Sequence, residues 1–600
     1  MSDTPGYVYG LPIGLGVPTL LLILYCVISS LVARAKRNKW RDIARKKIQE
    51  RNRIITDEKL PESGLSPKMK EEVLNNDVTT LRKLLDEGKV TSKQILLAYY
   101  ERARTIGVQY EWITETNFAE ALQKAEECDK LAKDTSIPKG PLFGIPISIK
   151  DFFDQASFDS TFGLASRCFN PAKEDSLLVR ILKESGAIPF VRSNVPQAAY
   201  HIESNNFVFG DSKNPYDKTR TTGGSSGGEA GLVSARCSPI GLGTDTVGSL
   251  RMPPLWCGVV GFKATPGRIS LKGHAILHEL LVGQKNIMGS VGGITKSVND
   301  ANLLMKTIIT GRQRELGAFS GDPTVVNTEW KEEESYAKGR KFRVGYVKSF
   351  NIFQASDTCV RAVEESVQAL KKRGHETVEI HIPDFQAIVD TTYALLLAEG
   401  DSKVLIDCLK GEKAIGAYGE LLAAVSLPRF LRRVVAGLLS CFGEKLASTI
   451  VRHLNGKSSR ELMILGYKQQ QLYNNFLKLW EENKLDALIL PGTPTPAPKL
   501  YMSKDLSSVS CYCMMHGLFN LPGGVLPITR VKEEEAHYTK RSLNSRQKHE
   551  EVLGRSIAGS AGLPVGVQFA ALPFEDEKMM AIMREIEEEV AFRSNNSFPL

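Results

Sequence analysis

Three short segments of the sequence carry residue types that could do covalent chemistry. Two of them, Gly223-Gly224-Ser225-Ser226-Gly227-Gly228 and Gly241-Leu-Gly-Thr-Asp-Thr-Val-Gly-Ser249-Leu-Arg251, are dominated by glycine, and each offers serine hydroxyls. Glycine at that density lets the backbone turn sharply and come close to a substrate that side chains would otherwise hold off. The third, Gly140-Pro-Leu-Phe-Gly-Ile-Pro-Ile-Ser-Ile-Lys150-Asp, ends an apolar, strand-like run on a lysine. A lysine in that position is expected to be buried. Burial disfavours the ammonium and lowers its pKa, which is what a lysine general base requires. Taken alone, Lys150 could equally form an ion pair with Asp151.

Other readings of the glycine loops demand residues that are missing. Gly223-x-Ser225-x-Gly227 has the form of a nucleophile elbow, but that turn needs a hydrophobic strand before it and a histidine partner downstream. What precedes it is the polar stretch Asn214-Pro-Tyr-Asp-Lys-Thr-Arg-Thr-Thr222. A phosphate-binding loop would end in Gly-Lys-Ser or Gly-Lys-Thr, and neither loop does. Glycines that merely make tight turns remain the alternative for either loop in isolation.

Taken together, the three segments resemble the amidase signature family, over roughly residues 80 to 590. The resemblance implies an α/β fold in which a large twisted mixed β-sheet is covered by helices. It also implies roles: Ser249 as nucleophile, Ser225 as bridging serine and Lys150 as base, with Ser226 beside the relay but outside it. Such a set forms an acyl-enzyme without histidine, metal or cofactor. The backbone N–H groups of Thr246, Val247, Gly248 and Ser249 correspond to the oxyanion hole, whose donors are worth roughly 3 to 4 kcal/mol each. Asp245 and Arg251 correspond to residues that brace the loop. Ala199 and Tyr200 correspond to positions lining an acyl channel.

The branch resembled acts on fatty acid amides, so the expected activity is membrane-bound hydrolysis of a lipid amide to fatty acid and amine, by a homodimer. Two departures from the family pattern stand out. Val247 replaces a glycine, and a β-branched residue fits poorly at positive φ, so a distorted hole is expected. Pro253-Pro254 is a second departure, although proline is tolerated in a first helical turn. The alternatives are a weakened or inactive amidase-fold membrane protein, an amidase acting on other amides or esters, and an amidotransferase component.

The elements that must position these residues follow from patterning. Of the 600 residues, 42% are hydrophobic and 24% charged, enough to bury a large core. Apolar runs at Phe143–Ile149, Ala187–Val191, Phe342–Tyr346 and Ala487–Leu490 alternate with helical stretches such as Gln94–Thr105, capped by Thr91–Lys93, and Asp357–Arg373. That alternation argues for α/β. The charged stretch Lys532–Glu551 is expected to be a solvated excursion. Ten scattered cysteines indicate neither a disulfide framework nor a zinc site.

Leu11 to Ala33 contains no charged residue and is long enough as a helix, roughly 35 Å, to span a bilayer. The basic residues from Arg34 onward follow it, which predicts a retained anchor with the rest of the chain in the cytosol, at the endoplasmic reticulum. Residues 34–53 carry ten Lys/Arg against Asp42 and Glu50, so most of the net charge of +9 lies in this segment. With no basic field elsewhere, nucleic acid is not an expected partner. The expected organisation is thus a tail and transmembrane helix over 1–33, a basic juxtamembrane and helical connection over 34–95, and a catalytic domain over 96–600. Within that domain, Leu427 to Phe442 spaces its apolar residues i, i+3, i+4 opposite Arg429, Arg432 and Arg433. It is read as part of a membrane cap over about 418–447, or else as an ordinary core-packing helix.

Overall fold

The computed structural model describes residues 13–273, 284–309, 322, 324–352, 354–537, 548–595 and 599–600; of residues 13–23, 25–27, 29–30, 504, 507–508 and 548–550 it describes the backbone alone. The apolar span 11–33 therefore falls almost wholly outside the residues whose side chains are described. Among the described residues no helix is long and apolar enough to cross a membrane.

Eight helices take up much of the first half of the chain: α1 (Ile13–Asp57), α2 (Pro67–Asn75), α3 (Val78–Asp86), α4 (Ser92–Arg102), α5 (Phe118–Leu131), α6 (Leu177–Glu184), α7 (Gly227–Ser234) and α8 (Met252–Cys257). Thr91 caps α4 through a reciprocal box with Gln94, as its spacing predicts. The strands are β1 (Ile113–Thr116), β2 (Pro146–Lys150), β3 (Ile188–Ser193), a small hairpin β4 (Asn205–Asn206) and β5 (Gly210–Asp211), β6 (Ile240–Asp245), β7 (Val260–Lys263), β8 (Ser290–Thr295), β9 (Arg343–Tyr346), β10 (Glu376–Glu379), β11 (Ala487–Pro491), β12 (Gly523–Arg530) and β13 (Pro564–Ala570).

All but the hairpin form one eleven-stranded sheet in the order β1-β3-β2-β6-β8-β7-β12-β13-β11-β9-β10. It is mixed. β2 lies parallel between β3 and β6, and β9 lies parallel to both β10 and β11, whereas the five central pairings from β6 to β11 are all antiparallel. The strands nearest the chemistry, β2, β3, β6, β7 and β8, are buried along their whole length. Helices therefore cover both faces, as continuous apolar strands require.

The four runs read as strands all lie in this sheet, and Asp357–Lys372 is a helix. Two expectations need correction. Lys532–Glu551 is not solvated throughout: Ala536 is buried, and Glu535 accepts from Arg361 at 2.6 and 2.7 Å, because the guanidinium compensates its charge. Residues 538–547 lie outside the described residues. Arg432, placed on a solvent-facing side by its spacing, is buried instead. Its guanidinium meets Asp401 at 2.5 Å and the carbonyls of Leu454, Leu427 and Val425.

The helix carrying Arg432, Arg429–Cys441, is inverted with respect to a core-packing helix. Phe430, Leu431, Val434, Leu438 and Phe442 are all exposed, Phe442 by 70%. Apolar side chains face out while a charge faces in, which excludes the reading of this segment as ordinary core packing.

The C-terminal part of α1 is seated on the sheet domain. Trp40 Nε1 donates to the Lys410 carbonyl at 3.2 Å, and Arg51 Nη1 to the Ile113 carbonyl at 2.6 Å. Lys47, 5% exposed, meets Glu115 at 2.7 Å and Asp159 at 2.8 Å. Removing the cation would leave two carboxylates buried without it. Lys47→Met is accordingly expected to lower unfolding free energy by about 3 kcal/mol, read from denaturant unfolding of the detergent-solubilised protein; a change within about 0.5 kcal/mol would mean that the contact is not energetically coupled to the fold.

Candidate active site

Strand β2 delivers Lys150 to its own end, and parallel pairing with β6 sets it beside Thr244. The amine is wholly buried. Lys150 Nζ lies 2.8 Å from Ser225 Oγ and 2.9 Å from Thr244 Oγ1, with the Phe152 ring centroid 5.1 Å away. Asp151, the sequence neighbour that might have paired with it, instead meets Arg192 at 3.2 Å and accepts from the Thr161 N–H at 2.9 Å. Lys150 thus faces hydroxyls and an aromatic ring. Desolvation lowers its pKa to about 7, although Asp245 and Glu229 pull the other way. Near neutrality a substantial share of the amine is free to accept a proton.

Ser225 continues the row. Its Oγ is 3.0 Å from Ser249 Oγ, so Lys150, Ser225 and Ser249 stand in one hydrogen-bonded line. Thr244 can accept an N–H of the neutral amine, leaving the nitrogen lone pair for the Ser225 hydroxyl. Each hydroxyl can then donate toward the lysine, which makes Ser249 Oγ the nucleophilic end. The peptide Gly224–Ser225 is cis. Ser226 is turned away, its Oγ donating to the Thr244 carbonyl at 3.3 Å. Among the described residues no histidine hydrogen-bonds to Lys150, Ser225 or Ser249, and no cluster of His, Cys, Asp and Glu could hold a metal ion.

The turn from β6 into α8 that carries Ser249 is braced by one buried ion pair. Asp245 accepts from Arg251 Nη2 at 2.9 Å and Nε at 3.0 Å, and also from the N–H groups of Gly248 at 2.7 Å and Leu250 at 2.9 Å. Burial alone would raise the Asp245 pKa; the Arg251 guanidinium overrides it and holds the carboxyl well below the usual range. Arg251 is in turn fixed by the Cys513 carbonyl and Gln568 Oε1, each at 3.2 Å. Both prolines of Met252–Cys257 fall in its first turn, where they cost no helical hydrogen bond.

Two sequence expectations about the oxyanion hole change here. Val247 is not at positive φ. Gly248 takes that conformation, at +118°, and a Cβ there would also come within 2.8 Å of Met252 Cε, so the valine imposes no distortion by this route. The Gly248 N–H, however, is directed at Asp245 rather than left free. Among the described residues no acceptor meets the N–H groups of Thr246, Val247 or Ser249, and these three residues are only half-buried. Three N–H groups of the turn are therefore available to an acceptor, and Gly248 supplies the bend between them.

Ala199 stands on the turn Gln197–Ala199 at φ +51°, its N–H donating to Pro196 O at 2.8 Å, two residues before His201, whose carbonyl packs against Gly224. Thr244 and Phe152 are partners of Lys150 that the sequence did not disclose. A threonine among glycines and a phenylalanine after a strand have no spacing signature; only the parallel register of β2 against β6 brings Thr244 into place.

Comparison with known proteins shows the family and the fold. The family profile described as Amidase matches residues 94–580. Fatty-acid amide hydrolase 1 of Sus scrofa is 30% identical over 504 residues, covering 83% of each chain. Fatty acid amide hydrolase 1 of Caenorhabditis elegans is 31% identical over 519 residues, covering 85% of this chain and 87% of the relative. A solved fatty acid amide hydrolase superposes with a TM-score of 0.78 over 94% of this chain and 96% of its own, at 22% identity.

Because the free amine is the reactive form, the rate at which a fluorophosphonate labels Ser249 is expected to fall about tenfold per pH unit below about 7 and to level off above it. Labelling that stays flat from about pH 5 to about pH 9 would remove Lys150 as the gate on the serine.

Proposed function

The chain belongs to the amidase family and is a hydrolase of amides, and from that premise we propose that it cleaves fatty acid amides at a membrane, with Ser249 as nucleophile, Ser225 as bridge and Lys150 as general base. The observation that carries this reading is the hydrogen-bonded row at 2.8 and 3.0 Å ending on an amine with a pKa of about 7.

Ser249 Oγ attacks the amide carbonyl carbon while its proton passes through Ser225 to Lys150. The resulting oxyanion faces the N–H groups of Thr246, Val247 and Ser249. Collapse breaks the C–N bond, and the proton on Lys150 returns through Ser225 to the departing amine nitrogen. The ester left on Ser249 is then attacked by water, its proton taken by the same relay, releasing the fatty acid. The protein needs no cofactor for any of these steps.

The lipid substrate is supported by the names of the relatives from Sus scrofa and Caenorhabditis elegans and by the exposed apolar side of Arg429–Cys441. Residues 11–33 would anchor the chain as a single span in the endoplasmic reticulum membrane, with the basic segment and the catalytic residues in the cytosol. Phe430, Leu438 and Phe442 would enter the acyl-chain region and admit substrate from the bilayer, past Ala199. Assembly as a homodimer rests on family resemblance alone.

Two outcomes test the reading. Ser249→Ala and Lys150→Ala are each expected to lower kcat on a long-chain fatty acid amide by at least about 10³-fold, and a protein inert on lipid amides but active on short aryl amides would remove the lipid substrate. Replacing Phe430, Leu438 and Phe442 together by serine is expected to raise KM for a lipid amide presented in vesicles by about tenfold or more, with KM for a water-soluble short amide unchanged. Equal shifts on both substrates would show the face to be structural.

A further inference from the structure

Glu229 opens α7 directly after the glycines that follow Ser225, and it is fully buried. The carboxyl accepts a hydrogen bond from Ser148 Oγ, an oxygen that also lies 3.3 Å from the Ile240 carbonyl. The second hydroxyl that bears on the carboxyl is that of Ser193 on β3, which with Ser148 favours the ionised form. Ser148 and Lys150 are two apart on β2, so their side chains leave the same face of the sheet about 7 Å from one another.

The sheet makes room for this carboxyl. Gly241 pairs with Ser148 across β2 and β6, and a Cβ on Gly241 would lie 2.1 Å from Glu229 Oε2. No cation forms a salt bridge with Glu229 among the described residues. The charged groups that bear on it are Lys150 on β2 and Arg192 on β3, the latter already bound to Asp151. Lys150 is faced in addition by Asp245 on β6, whose charge is met by Arg251 and Lys263. A buried acid met by hydroxyls alone, with no ion pair, is costly to keep, and packing does not account for it, since the adjoining strand is stripped of a side chain to admit it.

We propose that Glu229 is a positioning residue for the catalytic base: its carboxyl, admitted by Gly241 and held by Ser148, faces Lys150 along one side of β2 and sets how tightly that amine holds its proton. This rests on the reading of Lys150 as the base. Burial pushes Glu229 up to about 7, the range in which Lys150 titrates, so the carboxyl changes charge over the same pH range as the amine. When Glu229 is ionised it favours the ammonium; when it is neutral the free amine is favoured.

The test is the pH dependence of Ser249 labelling by a fluorophosphonate, which does not depend on the amide substrate. Glu229→Gln keeps the shape and can still accept from Ser148 but cannot ionise. It is expected to move the acid limb to lower pH by about one unit. Ser148→Ala, which removes a bond favouring the ionised acid, is expected to move the limb in the same direction by less, and serves also where Glu229→Gln does not fold. A limb that stays in place in the folded variants, or moves to higher pH, overturns the inference and leaves Lys150 as base intact. A wild-type profile with no acid limb overturns both.

Discussion

An ammonium group costs free energy wherever water is excluded and no anion touches it, and the active site is arranged around that constraint. Lys150 is out of water, its nearest polar atoms are the hydroxyls of Ser225 and Thr244, and its sequence neighbour Asp151 is held by Arg192. Had Asp151 turned to the lysine, the amine would have been locked in its charged form and lost as a base. The arginine on β3 thus keeps the carboxylate next in sequence occupied and away from the amine. Asp245 is treated likewise: Arg251 takes its charge, and what remains of its hydrogen-bonding capacity shapes the Ser249 turn.

The candidate site was legible in the sequence through the family resemblance of its three segments, since the glycine loops alone could also be tight turns; the structure brings Lys150, Ser225 and Ser249 into one row. The scaffold was less legible. β6 passes through Ile240-Gly-Leu-Gly-Thr-Asp245, where glycine hides a strand that is nevertheless fully buried. β12 contains Pro527 at a register shift, which masks it in the same way. Phe143 begins the predicted run, but Gly144 at φ +76° turns the chain and the strand starts only at Pro146. Partners that depend on register, such as Thr244, or on distant pairing, such as Asp401 for Arg432, leave no local trace.

The concern over Val247 shows where residue-level reasoning stops short. Substituting a β-branched residue into a glycine position is damaging only if that position carries the left-handed backbone, and here the next residue carries it. The same Gly248 gives its N–H to Asp245, so the loop divides its work: one glycine bends and binds, and its neighbours keep their amides free. In the helix Arg429–Cys441 the guanidinium of Arg432 plays a comparable part, anchoring the element from beneath while Phe430, Val434 and Leu438 stay exposed.

α1 runs without a break from Ile13 to Asp57, and its far end is fastened to the sheet domain by Trp40, Lys47 and Arg51. From Arg34 to Lys47 the helix rises about 20 Å. An anchor continued as a stiff, bolted rod is not a leash. With residues 11–33 in a bilayer, such a rod would set the standoff and tilt of the whole enzyme, so that the cap would meet the lipid at one angle. Search would become planar and pre-oriented, and the height of the entry port would be a property of helix length rather than of diffusion.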